Sequence, residues 1–242
     1  MNGLLFLIIQ AELMKDLFGQ ALLDFHQKTM GVPLLLHTEY GPPETIPLER
    51  FFVGEDEFPD LDIFALEQVH GKILDIGAAS GRHAFYLQNQ GHNITAMDIS
   101  ESCGIVMKEM GVEKIIIKDV FNFEGQLFDT IFMLMNGIGI AGTIEGLKKL
   151  LRHIKCVLKP TGQLLFDSSD ISYLYEERPM PENAYFGELS YRYQYKNKFG
   201  DPFNWLFIDR DKLVDIANSV GWNCQIIYED ETGAYLARLQ KR

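Results

Sequence analysis

Two carboxylates, with a run of small residues after the first, are the residues of this 242-residue chain best placed for chemistry. Asp75 stands two positions before Gly77, and Ala79 and Gly81 follow at the same spacing. Asp98 lies 23 residues beyond Asp75. Gly77 permits a tight turn, and Gly81 permits close approach of backbone or ligand. A helix opening at Arg82 and His83 would turn its first, unpaired amides toward whatever binds there. A carboxylate at Asp75 is a poor neighbour for a pyrophosphate and a good one for positive charge. Asp98 suits a pair of ribose hydroxyls, since it lies about 20 residues past the turn. Plainer readings stand beside these: a glycine-rich connection without a ligand, and an Asp98 that shares a helix cap with Ser100.

These residues need strands and helices to hold them, and the chain supplies an alternation of both. Ile73-Leu74 reads as a buried strand, and Ala84 and Leu87 as a helix that stops at Gly91. Residues 93–98 and 114–118 read as the second and third strands, and 128–135 as the fourth, ending at Asn136-Gly137. Thr143 caps a helix with Ile144, Leu147, Leu151, Ile154 and Leu158 on one face. Lys159 to Gly162 reads as a turn into a fifth strand, Gln163 to Asp167. Such alternation implies a parallel, right-handed, doubly wound sheet. Residues 168–204 are rich in Tyr and Phe and read as a pocket wall, or as an ordinary edge strand or dimer surface. Asp209 caps a further helix, and 222–228 with 234–239 read as a closing hairpin.

Residues 1–70 read as an N-terminal cap. Leu17, Phe18, Ala21, Leu22 and Phe25 follow Met14 at helical spacing. Gly19 inside that helix costs roughly 1 kcal/mol relative to Ala, so packing must hold it. Residues 34–52 read as a hairpin or irregular lid, and Phe58 to His70 as a helix. Leu4 to Ile9 is too short an apolar run to span a membrane and has no basic flank for a signal peptide. It starts a helix, or else Met14 is the natural start.

Composition narrows the partners. Thirty-four acidic against 22 basic residues leave a net charge of −12, unsuited to a phosphate backbone. Cys103, Cys156 and Cys224 are far apart, and the six histidines are scattered, so no metal site is expected. The expectation is one soluble, cytoplasmic domain over 1–242: the cap, a cofactor-binding half over 71–167, and an acceptor-side insertion with C-terminal hairpin over 168–242.

A dinucleotide fingerprint requires three glycines where this chain has Gly77, Ala79 and Arg82. Asp75-x-Gly77-x-Ala79-x-Gly81 instead resembles the first motif of the class I, Rossmann-like methyltransferases, usually Asp-x-Gly-x-Gly-x-Gly. Ala79 takes the place of the middle glycine. Asp98 at a second strand tip and Leu158-Lys159-Pro160-Thr161-Gly162-Gln163-Leu164 also resemble that family, and the likeness covers about residues 60–242. It implies an α/β fold: a doubly wound, mostly parallel seven-stranded sheet, helices on both faces, an antiparallel strand near the C-terminus and an N-terminal, mainly helical cap. It implies S-adenosyl-L-methionine as cofactor and S-adenosyl-L-homocysteine as product.

The residues implied to bind it are Asp75, Gly77, Ala79, Gly81, Arg82, Asp98, Ile99, Asp119, Val120, Asn136 and Gly137. Arg82 would meet the methionine carboxylate, or be a solvated helix arginine. Asp119 would meet the adenine amino group, or only cap the next segment. The catalytic candidates are His83 as a base, or as a pocket-lining residue, and Asn136 and Asp167 by position alone. Met135-Asn136-Gly137-Ile138 is not the Asn/Asp-Pro-Pro-Tyr of nucleic-acid amino-methyltransferases, and the paired glutamates of protein arginine methyltransferases are missing. The implied partner is therefore a small-molecule acceptor, with no nucleic acid and no membrane. Three alternatives stay open: a donor-binding sensor that transfers nothing, an NAD-dependent oxidoreductase, and aminopropyl transfer.

Overall fold

Side chains on a strand alternate between faces, so each strand divides its apolar residues between two layers of helices. The computed structural model describes residues 16–242. The expectations for Leu4 to Ile9 and for Met14 lie outside the described residues. In chain order come α1 (Leu17–His26), β1 (Leu35–Thr38), β2 (Glu44–Thr45), α2 (Asp60–Glu67), β3 (Lys72–Ile76), α3 (Arg82–Asn89) and β4 (Asn93–Asp98). Then come α4 (Glu101–Glu109), β5 (Ile115–Ile117), β6 (Phe128–Met133), α5 (Ile144–Val157) and β7 (Leu158–Ser169). The chain finishes with β8 (Glu188–Tyr195), β9 (Lys198–Phe199), β10 (Phe203–Leu206), α6 (Arg210–Ser219), β11 (Trp222–Glu229) and β12 (Ala234–Lys241).

Seven strands form one sheet in the order β11-β12-β7-β6-β3-β4-β5. Strands β3 to β7 pair in parallel, and β12 runs antiparallel to both neighbours. On one face Leu74, Ile76, Ile131 and Met133 pack with Leu147 and Ile154 of α5 and Ile216 of α6. One residue out of phase, Ile73 and Phe132 pack on the other face with Leu66 of α2 and Leu87 of α3. Each fully buried Leu or Ile contributes about 1.5–3 kcal/mol. These two layers, more than helix propensity, hold the helices in place. The doubly wound sheet and its closing hairpin are those expected.

One local expectation changes. Lys159 to Gly162 is not a free turn but lies inside β7. Pairing steps from Phe128↔Leu158 to Thr130↔Gln163, two residues on β6 against five on β7, so three β7 residues bulge out. Pro160 lacks an N–H and falls where the ladder is already interrupted.

A second, antiparallel sheet has the order β10-β8-β1-β2, with β9 also on β8. β1 and β2 are the hairpin foreseen in the cap. The other edge of β1 pairs with β8 of the aromatic insertion, from Leu35↔Gln194 to Thr38↔Tyr191. Cap and insertion are thus one sheet. Beneath it Leu17, Ala21 and Leu22 of α1 pack with Leu34, Leu48, Tyr195 and Ala79 of the glycine turn. Gly19 has its use here, because a Cβ would overlap Ser100 Oγ at the start of α4.

Candidate functional site

The carboxyl ends of β3, β4, β5 and β6 open into a cavity of about 660 Å³. Connections leave β3 and β6 in opposite directions, and an open α/β sheet has its ligand crevice at such a point. At the end of β3 the chain turns at Gly77, with φ +76°, and the space where a side chain would stand is open. Gly77 and Ala78 donate their N–H groups to Met97 O at 2.8 and 3.1 Å. Ala79 has φ +52°, a left-handed conformation rare for a residue with a Cβ.

Asp98 holds that turn. Its Oδ2 accepts from Ala79 N at 2.9 Å and its Oδ1 from Ser100 N at 2.9 Å. Burial raises its pKa, while these two amides pull it back. Each carboxylate oxygen keeps a further acceptor position. Asp75 is buried, and its Oδ2 has no hydrogen-bond partner among the described residues. Burial first, then the Asp98 charge, pushes the Asp75 carboxyl well above the usual carboxylate range, against the pull of Arg82. An orphaned acceptor in a cavity wall fits a ligand that brings its own donor or positive charge. Ile99 lines the same cavity with 69% of its surface exposed, an apolar plate for a flat ligand. Asp119 and Val120 line the β5 side. Asp119 Oδ1 accepts from Phe121 N at 2.9 Å, so it also caps the short 3-10 helix Val120–Asn122.

Three candidates stand elsewhere. Gly81 does not line the cavity: a Cβ there would meet Val112 and Met107 at 2.8 and 2.9 Å. Its freedom serves the packing of α3 on α4. Asn136 and Asp167 are also absent from the lining, whereas Gly137 is part of it. Asn136 Nδ2 donates to Leu206 O at 3.2 Å, and its Oδ1 accepts from Ser168 Oγ at 2.9 Å. Asp167 Oδ2 accepts from Asn136 N at 2.8 Å. Met135 and Asn136 have φ +60° and +54°, at a cost of roughly 1–2 kcal/mol each. The Asn136 and Asp167 contacts lock this bent tip of β6. Burial pushes the Asp167 carboxyl up to about 7, against the lowering effect of the Asn136 N–H.

Arg82 is neither solvated nor free. Its Nη2 donates to Asp62 Oδ2 at 2.5 Å and its Nη1 to Arg50 O at 2.8 Å. His83 Nε2 donates to the same Asp62 oxygen at 3.0 Å, and its ring packs edge-on against Phe58. Burial lowers the pKa of His83, with Asp62 opposing. Both residues still line the cavity. Asp62, from α2, was not singled out by sequence. Its only local signal is an acid beside Leu61 on the buried side of a helix. Ser80 Oγ donates to Phe51 O, a second strap from cap to glycine turn.

Aromatic side chains roof the cavity. Phe51, Phe18, Tyr193, Phe203 and Trp205 form a continuous row, with successive ring centroids 5.3, 5.8, 4.9 and 6.4 Å apart. All five line the cavity. Tyr193 and Phe203 belong to the insertion read as a pocket wall, and Phe18, Phe51 and Trp205 were missed. The Trp205 indole lies on Gly139 just beyond β6, where any Cβ would overlap it.

A family profile described as a methyltransferase domain matches residues 74–166. The chain resembles the crystal structure of an S-adenosylmethionine-dependent methyltransferase from Bacteroides fragilis in complex with S-adenosyl-L-homocysteine. That likeness has a TM-score of 0.85 and 38% identity over 94% of this chain and 95% of that one. Protein PH0226 of Pyrococcus horikoshii shares the fold, with a TM-score of 0.59 and 16% identity over 85% of this chain and 94% of its own. YqeM of Bacillus subtilis, provisionally named a methyltransferase, is 26% identical over 104 residues, 40% of this chain. The match spans 42% of that relative's length. Likeness over nearly the whole chain to a structure holding the demethylated product, with a strand-end cavity that fits such a ligand, makes this chain a member of the S-adenosylmethionine-dependent methyltransferases.

Proposed function

We propose that the chain moves the methyl group of S-adenosylmethionine to a small-molecule acceptor by in-line displacement. One observation carries this reading: the carboxylate-bearing strand ends and the aromatic roof belong to the same cavity, with the β6 tip beside both. The bound donor supplies a sulfonium methyl already activated toward a nucleophile. The protein's share is then alignment and exclusion of water.

Roles follow from position. The Asp98 carboxylate, held by two amides, takes the ribose hydroxyls on its remaining acceptor positions. Ile99 and Val120 flank the adenine, and Asp119 Oδ2, which also accepts from Asn122 Nδ2 at 3.3 Å, meets its amino group on its remaining acceptor position. The orphaned Asp75 Oδ2 takes the ammonium. Gly77 and Ala79 leave room for the methionine chain, and Gly137 continues that wall. Arg82 and His83, tied to Asp62, anchor the cap on the glycine turn, while Asn136 and Asp167 position the β6 tip. The roof shields the reacting methyl from water and receives the acceptor.

The test is transfer of a labelled methyl group from the donor into a cell extract, separated by a membrane that retains macromolecules. Label in the filtrate, lost with Asp98→Ala, is the expected result. Label confined to the retained protein or nucleic acid overturns the small-molecule acceptor.

A further inference from the structure

The charges around the roof narrow the acceptor further. Five carboxylates line the cavity against two permanent cations, Arg82 and Lys118. Arg82 is already committed to Asp62. Lys118 follows β5 and is the neighbour of Asp119. Asp16 and Asp201 each stand two residues before a roof aromatic, Phe18 and Phe203. Asp201 is exposed at the cavity edge and makes no ion pair among the described residues. The donor has a net charge of only +1, from a sulfonium, an ammonium and a carboxylate. Burial pushes the Asp75 carboxyl well above the usual range, yet even without it Asp16, Asp98, Asp119 and Asp201 outnumber the uncommitted Lys118 and the donor's single charge. The loaded cavity therefore stays negative, and an anionic acceptor is repelled from it. Electron-rich ring faces next to carboxylates attract a cation.

We propose that the acceptor is an amine with an apolar or aromatic body, which enters as an ammonium and is methylated on nitrogen. This rests on the methyl-transfer reading above. The ammonium first gives its proton to water at the cavity mouth. The nitrogen lone pair then forms the new N–C bond while the S–C bond breaks, and that electron pair stays on sulfur. Sulfonium becomes thioether, and the positive charge passes to the nitrogen, so the cavity charge does not change. A carboxylate or phosphate acceptor would instead cancel the positive charge inside a cavity that remains acidic.

The full chain, saturated with S-adenosylhomocysteine, distinguishes these cases by calorimetric titration with three probes of one shape: benzylamine, benzyl alcohol and benzoate. The expected order is benzylamine tightest, at least tenfold over benzyl alcohol, with benzoate weakest. Asp201→Asn weakens benzylamine several-fold and leaves benzyl alcohol unchanged. Tyr193→Leu weakens both. Equal or tighter binding of benzoate, or no preference for benzylamine, overturns the amine assignment. Failure of S-adenosylhomocysteine itself to bind removes the methyl-transfer reading instead, so the two failures are told apart.

Discussion

The carboxylate of Asp98 accepts a hydrogen bond from the main-chain N–H of Ala79 at 2.9 Å, so the tip of β4 holds the turn that follows β3. One side chain thereby shapes the glycine turn and, in the proposed donor site, offers two acceptor oxygens. Asp98→Ala removes both functions. Affinity for S-adenosylhomocysteine falls at least tenfold in calorimetric titration. The unliganded protein loses about 1–3 kcal/mol in urea unfolding, because the Ala79 amide is left without its partner. A variant with full affinity would sink the assigned role.

Ala79 has φ +52° where a glycine would be unstrained. Ala79→Gly leaves stability within about 1 kcal/mol, since relief of the left-handed strain offsets the added freedom of the unfolded chain. Ala79→Val crowds the same turn and costs about 1–3 kcal/mol, with a parallel loss of donor affinity. Thermal midpoints with and without S-adenosylhomocysteine measure both effects.

Asp62 serves two buried cationic or donor groups, Arg82 and His83, from a helix of the cap. Asp62→Ala leaves a guanidinium buried without its counter-charge, a loss of about 3–5 kcal/mol. The cap then loosens from the glycine turn, and protease cleavage between β2 and β3 accelerates. Unchanged cleavage and stability would mean that the strap holds nothing.

Asp167 titrates at about 7 in the folded protein because burial disfavours its charge. Its unfolded value is close to 3.8. The folded state therefore binds the proton more tightly. The stability this group contributes is complete below about pH 4 and is lost as pH rises toward 7. Asp167→Asn removes that slope. Denaturant unfolding from pH 4 to 8 should show the native protein losing stability relative to the variant as pH rises. Parallel profiles would contradict the assignment.

The strap and roof show where reading from sequence stops. Asp75, Gly77, Ala79 and Asp98 were legible because they lie within 24 consecutive residues, and strand, turn and helix geometry bring them together locally. Gly81 was legible as a residue needing freedom, but not as one facing α4. Arg82 and His83 follow the turn directly, yet the side chain they bind is contributed by α2, and no period in either helix encodes that pairing. Asn136 was read at the end of the fourth strand and lies just past β6, whereas Asp167, read as the end of the fifth, lies two residues inside β7. Neither lines the cavity: Asp167 accepts from Asn136 N, and the Asn136 side chain bonds to Leu206 O and Ser168 Oγ.

The sequence by itself determined the doubly wound sheet, the glycine turn after β3 and the acid at the second strand tip. Each is written in local spacing: a period of two, a period near 3.6, or small residues at fixed steps. The tertiary structure alone decided that Phe18 and Phe51 of the cap join Tyr193, Phe203 and Trp205 of the insertion in one roof. That depends on β1 pairing with β8 across most of the chain and on α1 docking through Gly19. Such long-range contacts are selected by shape and burial once the sheet exists, and no short stretch of sequence contains them.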